Sequence, residues 1–133
     1  MQWDSSLNCG VEPIDNEHKE LFRIVGELHD VAKTEKSIEK SEMVLAFLGD
    51  YVVQHFAHEE ALMNDCSYPK MDEHKELHVK FVQTFLDLKQ EFQESNDPLS
   101  VSNKIYFAAM SWLINHIKVI DKLFINYYLE NPH

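Results

Sequence analysis

Five histidines and one glutamate sit in this chain at positions where a helix would bury apolar side chains. Four rows repeat at alternating three- and four-residue spacing: His18, Leu21, Val25, Leu28, Ala32; then Leu45, Leu48, Val52, His55, Glu59, Leu62; then Met71, His74, His78, Phe81, Phe85, Leu88, Phe92; then Ile105, Ala109, Trp112, His116, Ile120, Leu123, Tyr127. Each row lies along one side of a helix. Left unpaired in a core, each polar member would cost about 1–3 kcal/mol, and six of them together rival the stability of a whole domain. Mutual hydrogen bonding does not solve this, because five neutral imidazoles bring more acceptor nitrogens than the group has donors. A metal takes up those lone pairs directly.

His55/Glu59 and His74/His78 are i,i+4 pairs, about 40° apart around a helix and one turn apart along it, so each pair chelates from one face. His18 and His116 converge from the other two helices. Five imidazoles exceed the needs of a four-coordinate zinc, which points to two metals. Imidazole with carboxylate suits iron, with zinc, copper and manganese as competitors. Residues Asp15, Val52, His55, Met71, Lys75 and Leu113 stand three before the six histidines His18, His55, His58, His74, His78 and His116. None of these six has a Glu three residues before it, so the ferritin-like carboxylate centre is disfavoured.

The elements that must position these groups are helices. Pro13, Pro69, Pro98 and Pro132 all fall outside the rows or at their edges, where a missing N–H costs least. Asp15 is the expected N-cap of the first helix, and Asp97-Pro98 reads as an N-cap followed by a first-turn proline. Breaks are predicted near 33–40, 64–68 and 94–97. Connections this short favour antiparallel neighbours, so the chain is read as all-α, an up-down-up-down four-helix bundle over residues 15–130. Residues 1–14 are expected to form an extended arm packed through Trp3, Leu7, Val11 and Ile14, within one domain spanning 1–133. Gly26 and Gly49, unfavourable inside helices, are expected to mark close helix approach.

Length and composition agree with one core. A chain of 133 residues with 44% hydrophobic and 26% charged side chains is an ordinary globular domain. Its net charge of −11 argues against nucleic acid or an anionic membrane as partner. Cys9 and Cys66 form no metal-finger spacing, and no export signal or run of 18 apolar residues is expected to function at the N-terminus or across a membrane. Two free thiols, a cytoplasmic location and a monomer or weak oligomer are expected, with the protein partner open.

The motifs then resemble one family. His55-Phe56-Ala57-His58-Glu59-Glu60, Tyr68-Pro69 followed by His74-Lys75-Glu76-Leu77-His78, and Trp112-Leu113-Ile114-Asn115-His116-Ile117 ending in Asp121 are similar to the hemerythrins, most of all the bacterial ones. The lead-in Gly10-Val11-Glu12-Pro13-Ile14-Asp15-Asn16-Glu17-His18 resembles theirs too, so the likeness runs from about Trp3 to Tyr128. It implies two irons with a bridging oxo or hydroxo group: one iron held by His74, His78 and His116, the other by His18 and His55, with Glu59 and Asp121 bridging. Asp121 comes from the resemblance alone, since on an ideal helix it lies about 140° round from His116.

The resemblance further implies reversible binding of molecular oxygen at the open position of the two-histidine iron, without enzymatic turnover. Leu21, Phe22, Phe56, Trp112, Leu113 and Ile117 would line that position, with Leu113 nearest the gas. An oxidase or peroxidase consuming O2 or peroxide, and an O2 or redox sensor module, are the competing functions. His58 and His133 are expected at the surface, His29 beside the first row; Glu60 and Glu73 are candidates to orient a ligand imidazole.

Overall fold

The computed structural model describes residues 3–131; Pro132 and His133, like the first two residues of the expected arm, lie outside the described residues. Its helices are α1 (Glu12–Val31), α2 (Ser37–Asp65), α3 (Met71–Glu94) and a fourth rod in three parts: α4 (Pro98–Asn115), a π-helical turn (His116–Asp121) and α5 (Lys122–Glu130). Among the described residues there is no strand. α1 packs on α2 and α4, and α3 packs on the same two, which closes the expected antiparallel four-helix bundle.

Asp97 caps α4 as expected, its carboxylate accepting the Ser100 N–H at 3.4 Å with Pro98 in the first turn. The start of α1 differs from expectation. The helix begins at Glu12, its N-cap is Val11, and no side chain caps it. Asp15 is already helical and turns its carboxylate back to the arm, accepting the N–H of Cys9 at 2.7 Å and of Gly10 at 3.2 Å. The arm is therefore not simply extended. It holds a 3₁₀ turn at Ser5–Leu7, with Asp4 accepting the Ser6 N–H, and reverses at Gly10, whose φ of 104° suits glycine. Leu7 and Ile14 are buried, and Trp3 and Val11 pack against the core from its margin.

α2 begins at Ser37, inside the expected break, because Lys36 takes a left-handed φ of 57° and completes the reversal early. A Cβ on Gly49 would come within 3.1 Å of the Phe85 ring, so α2 and α3 do approach closely there. Gly26 has open space around it, and close approach does not explain it.

Up to His116 every row residue is buried or half-buried, although at the end of α2 it is Met63 rather than Leu62 that is fully buried. Beyond His116 the π-helical turn adds one residue to the repeat, which shifts every later position by one. Leu123 is thereby turned out to solvent at 53% exposure, while Phe124 and Ile125 are fully buried in its stead. The same shift swings Asp121 into the interior.

Candidate metal centre

His18 comes from α1, His55 and Glu59 from α2, His74 and His78 from α3, and His116 and Asp121 from the two ends of the π-helical turn. All seven are buried, with Glu59 and His18 at 0% exposure. Every one of the seven positions nominated from the sequence and the resemblance thus reaches the same interior site. A π-helix hydrogen-bonds i to i+5 as an α-helix bonds i to i+4, so Asp121 comes onto the same side of the rod as His116 where an α-helix would have rotated it away.

The two carboxylates divide the imidazoles into a pair and a triplet. One Glu59 oxygen, Oε2, lies 3.1 Å from Nε2 of both His18 and His55. The other, Oε1, lies 3.2 Å from His78 Nε2 and 3.6 Å from His74 Nε2. Asp121 repeats the division: Oδ2 is 3.1 Å from His18 Nε2, and Oδ1 is 3.1 and 3.2 Å from Nε2 of His74 and His116. Each carboxylate spans two compartments.

Orientation of the rings comes from behind. His55 Nδ1 is 2.7 Å from Glu17 Oε1, and His78 Nδ1 is 2.9 Å from Glu60 Oε2. An imidazole that donates its Nδ1–H to a carboxylate carries a bare lone pair on Nε2. That lone pair then faces a Glu59 oxygen, which is itself an acceptor. Acceptor against acceptor at 3.1 Å is repulsive unless a cation lies between. Glu59 Oε1, both Asp121 oxygens and His78 Nε2 are also buried without a hydrogen-bond partner among the described residues. The donor set fits metal ions: nitrogen and carboxylate oxygen, convergent, closely spaced, and oversupplied with acceptors.

Electrostatics agrees. Burial pushes the Glu59 carboxyl upward, but the His55 charge and hydrogen bonds from His18, His55 and His74 overcome it and hold the group well below the usual carboxylate range. Burial and Glu59 likewise push Asp121 upward, and its contacts with His116, His18 and His74 reverse the shift. His74, despite burial, is pushed up to about 9 by Asp121 and Glu59. Burial opposes a charge on His18 too, yet Asp121, Cys9 and Glu59 together raise it well above the ordinary imidazole value. The two carboxylates thus favour the charged forms of His18, His55 and His74. His116 is the exception, lowered chiefly by burial.

Around this site Leu21, Phe22, Phe56, Leu113 and Ile117 are buried and Trp112 is half-buried. Phe56 stacks on the His78 ring at 3.8 Å, and Trp112 on the His116 ring at 4.2 Å. Both therefore flank the triplet, because each follows α2 or α4 round toward α3. Phe22 meets Trp3 of the arm edge-on at 5.2 Å.

Glu60 orients an imidazole as anticipated. Glu73 is exposed and has no such contact, and His74 Nδ1 is buried without a partner. Glu17 is the orienting residue that sequence reasoning missed. Its place beside His18 was the available signal, but it serves His55 on another helix. Glu17 also receives the exposed His58, Nδ1 to Oε2 at 2.7 Å. His29 stacks on Tyr106 at 5.0 Å, far along the bundle from His116.

Residues 9–128 match the family model described as the hemerythrin HHE cation binding domain. The chain is 34% identical over 119 residues to a bacteriohemerythrin of Pseudomonas aeruginosa, covering 90% of this chain and 75% of that one. A bacteriohemerythrin of Methylococcus capsulatus is also 34% identical, over 93% of each chain. A wild-type hemerythrin crystal structure superposes with a TM-score of 0.82 at 32% identity, covering 96% of this chain and 97% of that one.

Proposed function

The chain belongs to the hemerythrin family, and from that premise we propose that His18, His55, Glu59, His74, His78, His116 and Asp121 hold two iron ions for the reversible binding of molecular oxygen. The observation that carries this reading is the division of five imidazoles into two and three by carboxylates that each present one oxygen to either group. Bound there, two ferrous ions with their oxo or hydroxo group would supply the electrons that reversible oxygen binding needs.

The chain's own residues make that chemistry reversible. Glu17 and Glu60 favour the tautomers of His55 and His78 whose Nε2 lone pairs face inward. Glu59 and Asp121 supply two buried negative charges that offset the cations. Three histidines on one side and two on the other give the two sides unequal numbers of protein ligands, and oxygen is assigned to the two-histidine side. Leu21, Phe22, Phe56, Trp112, Leu113 and Ile117 exclude water from the centre, with Leu113 assigned the closest approach to the gas. None of these six side chains is an acid or base, which favours binding over turnover and makes the protein an oxygen carrier or store rather than an enzyme. Cys9 and Cys66 are both buried and unpaired, which fits a reducing compartment, and we assign the protein to the cytoplasm. No helix among the described residues is long and apolar enough to cross a membrane.

Visible absorption of the iron-loaded protein tests the reading. Reduced protein should develop a charge-transfer band on exposure to O2 and lose it on flushing with inert gas, over repeated cycles. Rapid passage to an oxygen-insensitive diferric spectrum would replace binding with consumption of O2 or with redox sensing. Absence of any iron-dependent band would overturn the ligand assignment.

A further inference from the structure

His55 and His78 each have a carboxylate behind the ring, but His18 does not. Its Nε2 faces Glu59 and Asp121, while its Nδ1 is buried with no hydrogen-bond partner among the described residues. Cys9 stands beside the ring. Its Sγ lies within 4.8 Å of a ring nitrogen of His18 and of an Asp15 oxygen. The residue is held in place twice: the Cys9 backbone N–H donates to Asp15 at 2.7 Å, and the thiol donates to the Leu7 carbonyl at 3.7 Å. A thiol has one proton, and here it is directed to Leu7. The sulfur lone pairs are left facing an imidazole whose Nε2 is committed to the centre and whose Nδ1 must therefore carry the proton.

The geometry points to Cys9 as a positioning residue of the metal centre, its sulfur accepting the Nδ1–H of His18 and fixing that ring's tautomer. This rests on the ligand set proposed above. Sulfur is a weaker acceptor than the carboxylates of Glu17 and Glu60. The contact behind His18 is accordingly weaker than those behind His55 and His78, and the two-histidine half of the centre binds its metal more weakly than the three-histidine half. The arm, which the helical rows alone leave outside the site, becomes part of it. The clamp from Asp15 to Cys9 and Gly10 is what brings it there.

Stepwise cobalt(II) titration of the metal-free full chain tests this, comparing wild type with Cys9→Ser, Cys9→Val and Cys9→Ala. Outer partners of ligand histidines typically contribute 10–100-fold in metal affinity, so Cys9→Val and Cys9→Ala should weaken the second, weaker cobalt step by about tenfold and leave the first unchanged, while Cys9→Ser stays within about threefold of wild type. Nitrogen-15 NMR of the zinc-loaded proteins supplies a second readout: the His18 Nδ1 resonance should move in Cys9→Val and Cys9→Ala, with the other four ligand rings unaffected. Packing alone predicts the opposite order, with valine tolerated and serine not, and that order would overturn the proposal. So would an unmoved His18 resonance in the apolar variants. A wild-type chain that binds fewer than two cobalt ions would overturn the ligand set itself, and the inference with it.

Discussion

The two halves of this bundle's interior are built on opposite principles. Away from the centre, Leu28, Leu45, Leu48, Phe85 and Ile105 fill the space between the same four helices with apolar side chains that need no partner. Around Glu59 and Asp121 the equivalent positions hold five imidazoles and two carboxylates, and buried acceptors are left unmatched. The apolar half stabilises the fold by burial alone, at about 1.5–3 kcal/mol for each large side chain. The polar half is stable in that arrangement only with cations to match it. Fold and function are thereby separated along one set of helices.

The largest expected effect breaks the polar half alone. Glu59→Gln keeps the side-chain shape but removes the charge that spans both histidine groups. Metal analysis should find one tightly bound equivalent or none in place of two. Differential scanning should find that metal no longer raises the melting temperature as it does in wild type, where saturation at about a thousand times Kd adds about 4 kcal/mol. A Glu59→Gln protein that retains two tight equivalents would remove the carboxylate from the proposed ligand set.

The converse substitution strikes the apolar half. Leu48 is 1% exposed, and Leu48→Ala should destabilise the metal-free protein by about 2–5 kcal/mol in urea unfolding. Metal stoichiometry should remain two. A loss of metal binding in this variant would show that the two halves are coupled, and the comparison would fail.

The smallest expected effect sharpens the boundary between the halves. Val119 is an exposed residue of the π-helical turn, and deleting it should return the fourth rod to continuous α-helix. Asp121 would then follow His116 by an ordinary α-helical turn and stay on the same face, with the later core positions also in register. Two metals should still bind, with little change in melting temperature. If the deletion instead costs a metal, the π-helical turn sets the position of Asp121 along the rod as well as its facing.

The rows alone nominate six of the seven residues that the structure brings together, because a period of 3.6 residues forces His18, His55, Glu59, His74, His78 and His116 onto core faces. The four helices and the Asp97 cap were legible for the same local reason. Asp121 was visible only through the resemblance to a family, since its angle on an ideal helix is wrong. Leu123 was misplaced by the same assumption of a regular helix. Asp15 was mistaken for a cap because its residue type suits one, while its carboxylate is drawn to the arm amides instead.

The sequence by itself therefore determined which residue types would be buried and on which helix, since that follows from periodicity along one element. Only the tertiary structure decided how those elements meet: that Glu17 of α1 orients His55 of α2, that Glu60 of α2 orients His78 of α3, that Cys9 of the arm lies beside His18, and that the imidazoles divide into two and three. These are contacts through space between separate elements. They depend on the register of one helix against another and on one extra residue in a π-helical turn, which no repeat within a single helix encodes.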